Sequence, residues 1–477
     1  MPRCRRLPAR QAWQSGGLAV TAADVSQAPI LDHGFVPPAP FPGQKDVSLF
    51  NQMIKGLTRP TEGWPRAVFE DLSWKPPFPG TPLFLMDPAA IRQVLVTQAE
   101  NFGQGAMFRR MFRPVWGDGM FTSEGPAWRW QRHASAPAFR PAHMHALAPF
   151  MAKAADDALE RWGETAPINA LEEATRITFD VILDTILSGG EDFDRETIRA
   201  RMAAFVAHAL KPRFSYMLAP DSYHEGKVNA SGPDAAALRS DIEAMIRRRR
   251  TSPPRGDLVD QLLSAKDPET GQAMDDALLC DNLLGFIVAG HETSALALTW
   301  SIYLASAHAP TAERIRAEVA AVAGDEPIGP THVEQLVFTR QVVSEAMRLY
   351  PGALQLYRIC VRPTEVAGIA MKPGDRIVIP VYALHRHTLY WRDPHVFDPD
   401  RFAPGEPTPD RHVYMPFGAG PRICLGAAFA MTELVVVLAT LMRGADFAVA
   451  PGHRVWPGAG LTLSPEGGLP MTATRRT

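Results

Sequence analysis

A mainly α-helical fold with a small β portion is predicted, on three observations. Apolar residues recur at helical spacing over 143–162, 168–188, 236–249 and 275–307. Strand-like runs are short and few: Pro82-Leu83-Phe84-Leu85-Met86 early, then 353–362, 376–380 and 461–464, parted by Pro- and Asp-rich loops. No internal repeat is visible, and strand and helix never alternate as a doubly wound sheet requires.

Taken in order, residues 1–60 are rich in Pro and Gly with little periodicity. They read as an N-terminal extension over 1–40, partly disordered, leading into one domain over 41–477 that opens with a short helix near 47–57. The first twenty-odd residues are Arg-rich and lack acids until Asp24, the pattern of a mitochondrial transit peptide or of a disordered tail. After the 82–86 strand, Asp87-Pro88 starts a helix that runs to 98. From about 125 the chain is mostly helical. Segment 275–307 would span roughly 50 Å at 1.5 Å per residue, enough to cross a whole domain. A last apolar helix covers roughly 427–443.

The 477 residues carry a formal charge of −2, which argues against non-specific nucleic-acid binding, since that needs a basic field. No apolar run reaches the length of a membrane span; His291, Glu292 and Asn282 interrupt the 280–307 stretch. Cys4, Cys280, Cys360 and Cys424 are scattered, with no CxxC pair, so neither a disulfide framework nor a zinc cluster is indicated and a reducing compartment is expected.

The strongest local signal is Phe417-Gly418-Ala419-Gly420-Pro421-Arg422-Ile423-Cys424-Leu425-Gly426. Cys424 precedes a helix, where free N–H groups and the dipole favour a thiolate. Gly420 and Gly426 are expected to take positive φ and to let backbone approach a flat cofactor. Phe417 can shield the sulfur, and Arg422 can pair with an acidic group on the cofactor. A lone Gly-x-Cys would read as a buried structural cysteine; the full Phe-x-x-Gly-x-Arg-x-Cys-x-Gly spacing is far more specific.

On this loop the sequence strongly resembles the cytochrome P-450 family. The resemblance implies a single triangular-prism-like heme domain, heme b (iron protoporphyrin IX) as cofactor, and Cys424 as its axial thiolate. Three further motifs follow the family order. Ala289-Gly290-His291-Glu292-Thr293-Ser294 looks like the oxygen-activation motif: Ala289 and Gly290 leave room for dioxygen, Thr293 can bond a preceding carbonyl and bend the helix, and Glu292 can feed protons. His291 reads as packing rather than as a ligand. Glu345, Arg348 and Arg401 match the buried ion network that holds the family's heme pocket together. Trp128 and Arg132, at i,i+4, together with Arg358, match the propionate partners.

The implied activity is hydroxylation or epoxidation of an apolar organic substrate with O2 and two electrons. The electrons are expected from a separate ferredoxin with its reductase, or a flavodoxin-type donor, docking near Arg129, Arg132, Arg411 and His412. A fatty acid, terpenoid or aromatic substrate is expected from Phe102, Met107, Phe108, Met111 and Phe112 in the pocket-capping region, and from Phe205, Phe214, Tyr216 and Met217 in a lid. Leu354, Leu356 and Leu461 are the remaining candidates, and each of these residues could equally be core. A monomer in the bacterial cytoplasm is expected, with mitochondrial import a minor alternative. The competing functions are a peroxide-driven or non-oxygenating heme-thiolate enzyme, a heme sensor or carrier, and a cysteine hydrolase. The first two enzyme classes tend to lose the acid–alcohol pair that Glu292-Thr293 supplies.

Overall fold

The computed structural model describes residues 30–31, 34–40, 55, 59–187, 194–209, 233–255, 257–267, 269–460 and 462–476. Helices dominate, with the short strands gathered at the edges. The helices that matter for the site are α1 (Ala106–Trp116), α2 (Gly125–Ser135), α3 (Ala148–Trp162), α4 (Ala170–Thr185), α5 (Arg195–Ala209), α6 (Pro233–Thr251), α7 (Asp276–Ala307), α8 (Ala309–Val322), α9 (Val337–Leu349) and α10 (Ala427–Gly444). The 143–162 periodicity is split by a break at Leu147, so that Pro141–Ala146 forms a separate short helix. The helix anticipated near 47–57 lies outside the described residues.

α7 is the axle. Asp275 caps it, accepting a hydrogen bond from the N–H of Leu278, and 21 of its 32 residues are buried, so it is apolar on every side rather than on one stripe. α4, α6, α9 and α10 all pack on it. α10 is also apolar enough to cross a membrane by length and composition, contrary to expectation; it is instead a mostly buried core helix held between α3, α7, α8 and α9.

The main sheet has five strands, β1 (Ser73–Trp74), β2 (Leu83–Leu85), β3 (Phe102–Gly103), β5 (Leu356–Cys360) and β6 (Arg376–Ile379), in the order β1-β2-β6-β5-β3. Asp87 caps the helix after β2, as its sequence predicts, accepting from the N–H of Ala89. That helix runs into a turn of π-helix, Gln93–Thr97, whose Leu95 will matter below. A three-stranded sheet joins β4 (Thr165–Asn169), β7 (Ala445–Val449) and β10 (Pro470–Arg475), with β10 in the middle. Between them a hairpin of β8 (Pro457–Ala459) and β9 (Leu463–Pro465) reaches back toward α7.

Residues 34–40 do not behave as an extension. Phe35 and Ala39 are buried, the Phe397 N–H donates to Phe35 O, and the Tyr350 and Tyr382 hydroxyls donate to the carbonyls of Pro38 and Pro40. This stretch is therefore part of the packed body, and a boundary at residue 40 falls inside it.

Candidate active site

The cysteine loop owes its shape to two glycines, though not the expected two. Gly418 and Gly420 take φ of +73° and +76°, whereas Gly426 has an ordinary φ of −82° at the N-cap of α10. A Cβ on Gly420 would lie 1.9 Å from the carbonyl oxygen of Leu95, so the loop seats itself on the π-turn as only glycine permits. The Cys424 N–H then donates to Phe417 O at 2.9 Å and closes the loop.

Cys424 is water-accessible, yet protein surrounds it closely enough for burial to push its thiol pKa up, against the Gly426 N–H and Arg132, which favour the thiolate. The helix start alone does not make it a thiolate, because burial outweighs the two favourable groups. A bound metal cation would reverse that balance.

Three guanidinium groups converge beside the sulfur. Arg422 lies within electrostatic reach of both Arg132 and Arg358, and Arg132 within reach of Cys424. Burial pulls all three pKa values down, that of Arg358 to about 10, with Arg422 adding to the effect. None forms an ion pair among the described residues. Arg358 donates to Tyr357 O, and Arg422 to Gln104 Oε1 and Ser123 O. Glu124, whose carboxylate accepts the Gln104 N–H at 2.8 Å, is the one acid that offsets Arg358 and Arg422. Glu124 also lies 4.0 Å from Arg109, so positive charge exceeds negative in the cradle. The Trp128 ring lies 4.5 Å beneath the Arg422 guanidinium.

Across from the loop, four consecutive polar residues of α7 fan out at 100° intervals to four different surroundings. His291 meets the Phe179 ring of α4 edge-on and is held neutral by burial, its pKa lowered to about 4, which fits packing rather than ligation. Glu292 accepts a hydrogen bond from Thr462 Oγ1 at 3.0 Å, and burial raises its carboxyl pKa against that bond. Thr293 donates to Ala289 O at 2.7 Å, as its motif predicts. Ser294 turns to Glu433 of α10, a buried carboxyl that burial pushes up to about 8; the two approach without reaching hydrogen-bond geometry. Ala289 and Thr293, one turn apart, keep accessible faces although α7 is a core helix. A Cβ on Gly352 would lie 3.8 Å from that of Thr293, and one on Gly418 4.0 Å from Leu356 Cδ1. Segment 352–356 therefore bridges from Thr293 to the cysteine loop.

A water-accessible sulfur on a glycine-shaped loop, a helix with an accessible threonine and arginines without ion pairs agree with the relatives of this chain. The chain matches the family Cytochrome P-450 over residues 79–467. It belongs to the cytochrome P-450 family. The protein "LUTEIN DEFICIENT 5, chloroplastic" of Arabidopsis thaliana is 28% identical over 83% of this chain and 70% of its own. "Cyclooctat-9-en-7-ol 5-monooxygenase" of Streptomyces melanosporofaciens is 30% identical over 79% of this chain and 80% of its own. The crystal structure of the cytochrome P450DA heme domain superposes with a TM-score of 0.73 at 24% identity, covering 85% of this chain and 89% of that one. The chain is thus a cytochrome P-450 monooxygenase, and heme is its cofactor. The residues fit that group: buried guanidinium groups that form no ion pair among the described residues suit a ligand that carries two propionates.

The P-450 scaffold network is present. Glu345 and Arg348 of α9 form a fully buried bidentate pair at 2.6 and 2.7 Å, and Arg348 also donates to the carbonyls of His385, Pro394 and Val396. Arg401 reaches Glu345 as an ion pair at 3.5 Å and donates to Asp393 O.

The apolar candidates divide. Phe112, Phe205 and Leu354 are at most 4% exposed and belong to packed clusters, because α1, α5 and the segment after α9 press them into the core. Phe102 is likewise buried, in β3. Phe108 and Leu356 keep open faces. Phe214, Tyr216, Met217, Leu461 and the Met111 side chain lie outside what the structure describes. Sequence reasoning missed Gln104, Glu124, Glu433 and Thr462, none of which sits in a motif it used. It also missed Asp281 and Asn282, which clamp the loop after α1 by accepting the N–H groups of Asp118 and Met120.

Proposed function

We propose that Cys424 is the thiolate that holds the heme iron, and that Arg132, Arg358 and Arg422 neutralise the two propionates. Phe417, Gly418, Gly426, Ala289 and Gly290 form the walls, and Trp128 steadies Arg422. The observation that carries this is a water-accessible sulfur beside buried arginines that form no ion pair among the described residues. When bound, the heme supplies the reductive activation of O2 and the insertion of one oxygen atom into an apolar substrate.

The chain's own part is proton handling and placement. Burial holds the Glu292 proton to higher pH than a surface carboxylate would, which suits a general acid. Thr293 already donates to Ala289 O, so its lone pairs are free to accept a proton relayed from Glu292 through water, while rotation of Oγ1 releases the other toward the proposed heme site. The open faces of Phe108 and Leu356 support an apolar substrate, of the fatty acid, terpenoid or aromatic class; the name of the Streptomyces relative points to an alkenol for that protein.

Electrons would come from a separate ferredoxin or flavodoxin-type donor. A pocket of about 510 Å³ opens behind the cysteine loop, lined by Met347, Phe417, Ile423 and Met431 with Arg411 and His412. Arg411 and Arg129 are exposed and suit an acidic donor, whereas Arg132 belongs to the cradle and His412 is buried against Asp410. Free Cys280, Cys360 and Cys424 favour a reducing compartment, in keeping with the bacterial cytoplasm.

The test is the reduced, CO-bound spectrum. Native protein should give the strongly red-shifted Soret band of a thiolate ligand, and Cys424→Ser should lose it while remaining folded. A native protein that binds heme without that band would reject the assignment.

A further inference from the structure

Glu292 has one polar side-chain partner among the described residues, and it comes from 170 positions away. Thr462 sits at the tip of the β8–β9 hairpin, where the Gly460 N–H donates to the carbonyl of Thr462 itself. The tip is not a loose loop. The indole N–H of Trp300, fully buried two turns further along α7, donates to Leu463 O at 2.9 Å. Leu463 is buried at the foot of the tip, and the stem is registered Pro457↔Pro465, Gly458↔Ser464 and Ala459↔Leu463. Glu466, just past β9, is tied to Arg59 at 3.1 Å. The hairpin is thus pinned to α7 at one point and presents a hydroxyl at a second, with Glu292 beneath it. The other ionisable groups nearest in sequence or packing face elsewhere, His291 toward Phe179 and Glu433 toward Ser294.

We propose that Thr462 is the positioning residue of the proton path: by donating to Glu292 Oε1 it fixes which way that carboxyl points relative to Thr293. This rests on the reading of Glu292 as the proton donor given above. The physical argument is one of rotamers. A Glu side chain has three torsions, and its free carboxyl would sample several orientations in a space open enough for water. A single bond from a pinned hairpin selects one of them, so proton delivery depends on a segment remote from α7 in sequence. Among the described residues Glu292 Oε2 has no hydrogen-bond partner, so it is the oxygen left to pass a proton toward Thr293.

The experiment compares Thr462→Val, which keeps the shape and removes the donor, with Thr462→Ser, which keeps the donor, alongside Glu292→Gln and the Glu292→Gln/Thr462→Val double variant. Four quantities are read on holoenzyme with an electron donor: the substrate-induced spin shift, the fraction of NADPH diverted to peroxide, the maximal rate of NADPH use, and the urea midpoint. Thr462→Val is expected to raise the peroxide fraction several-fold with an unchanged spin-shift Kd, Thr462→Ser to restore native coupling, and the double variant to be no more uncoupled than Glu292→Gln. The urea midpoints should show the same non-additivity, since a residue pair in contact does not contribute independently. If Glu292→Gln uncouples while Thr462→Val stays native, or if the two effects add, the positioning role is wrong and the donor role of Glu292 survives. If Glu292→Gln itself leaves coupling native, the donor role fails and this proposal fails with it. A Thr462→Ser variant as uncoupled as Thr462→Val would assign the effect to packing and overturn the proposal.

Discussion

Two clusters of arginines lie within this protein, and they solve the cost of a buried charge in opposite ways. Around Glu345 the demands of Arg348 are met internally: it has its carboxylate and three backbone carbonyls, and Trp391 lies 5.0 Å beneath its guanidinium, while Arg401 Nε stays 3.5 Å from Glu345 without a hydrogen bond. Beside Cys424 the Arg422 guanidinium is repelled by Arg132 and repels that of Arg358, and Glu124 offsets Arg358 and Arg422 but not Arg132. The first arrangement is finished by folding. The second would be completed by a dianionic ligand such as the two propionates proposed above. A closed network marks scaffold, and an uncompensated one of the same residue type marks a binding site. Arg386 shows the limit of the rule: it is buried with no hydrogen bond among the described residues, but its guanidinium stacks 4.0 Å over the Tyr382 ring.

The largest effect expected is at the closed cluster. Glu345→Ala leaves Arg348 and Arg401 buried without a carboxylate, which should cost about 3–5 kcal/mol and prevent heme retention altogether. Purification yield and urea unfolding would show it. A Glu345→Ala protein that folds, binds heme and unfolds near the native midpoint would mean that the network is dispensable.

A third way to bury a charge is to discharge it, and Glu433 does this. With a folded-state pKa of about 8 and an unfolded one near the ordinary carboxylate value of 4.5, the folded protein binds the extra proton throughout that interval. Stability is therefore greatest below about pH 4.5 as far as this group is concerned, falls as pH rises, and levels off above about 8. The total is on the order of a few kcal/mol. Glu433→Gln should flatten the slope of the urea midpoint between pH 5 and 8; an unchanged slope would place the titration elsewhere.

At the open cluster the prediction changes sign between states. Arg358→Met removes a buried, repelled charge, so protein without heme should unfold no more easily than native, and slightly less easily if packing is kept. Heme binding should weaken by about tenfold to a hundredfold, the worth of one charge-assisted bond of roughly 1.5–3 kcal/mol. Heme titration and melting of the same preparation separate the two. A variant destabilised without heme as much as with it would make Arg358 scaffold, and the contrast between the clusters would disappear.

Much of this was legible because the chemistry is local. The cysteine loop, the Glu292-Thr293 pair and Glu345-Arg348 each lie within one short segment, and their spacing alone fixes what they can do together. Element boundaries at α7 and α10 followed from period and caps. Partners that come from elsewhere in the chain carry no such signal. Thr462 is an ordinary hairpin threonine until folding brings it against Glu292. The assignment of positive φ to Gly426 failed because a glycine before a helix serves as readily in a right-handed N-cap; Gly420 is the one that faces the Leu95 carbonyl. Phe112, Phe205 and Leu354 were placed by position in the chain, and an apolar side chain fits a core as well as a pocket.

The smallest effect expected tests whether burial, rather than geometry, is what separates the clusters. Asp400, next to Arg401 at the rim of the closed network, receives both Arg314 nitrogens at 2.8 Å, a pairing as well formed as that of Glu345 with Arg348, and Arg314 also stacks 3.7 Å over Phe338. Both side chains are about half exposed, at 54% and 51%, so water already solvates each of them. Asp400→Asn should then cost less than about 1 kcal/mol, shrink further in high salt, and leave heme retention unchanged. Urea midpoints at low and high ionic strength give the comparison. A loss approaching that of Glu345→Ala would show that bidentate geometry by itself carries the energy, and an arginine cluster could then not be sorted into scaffold or site by asking whether its charge has been met in the dry interior.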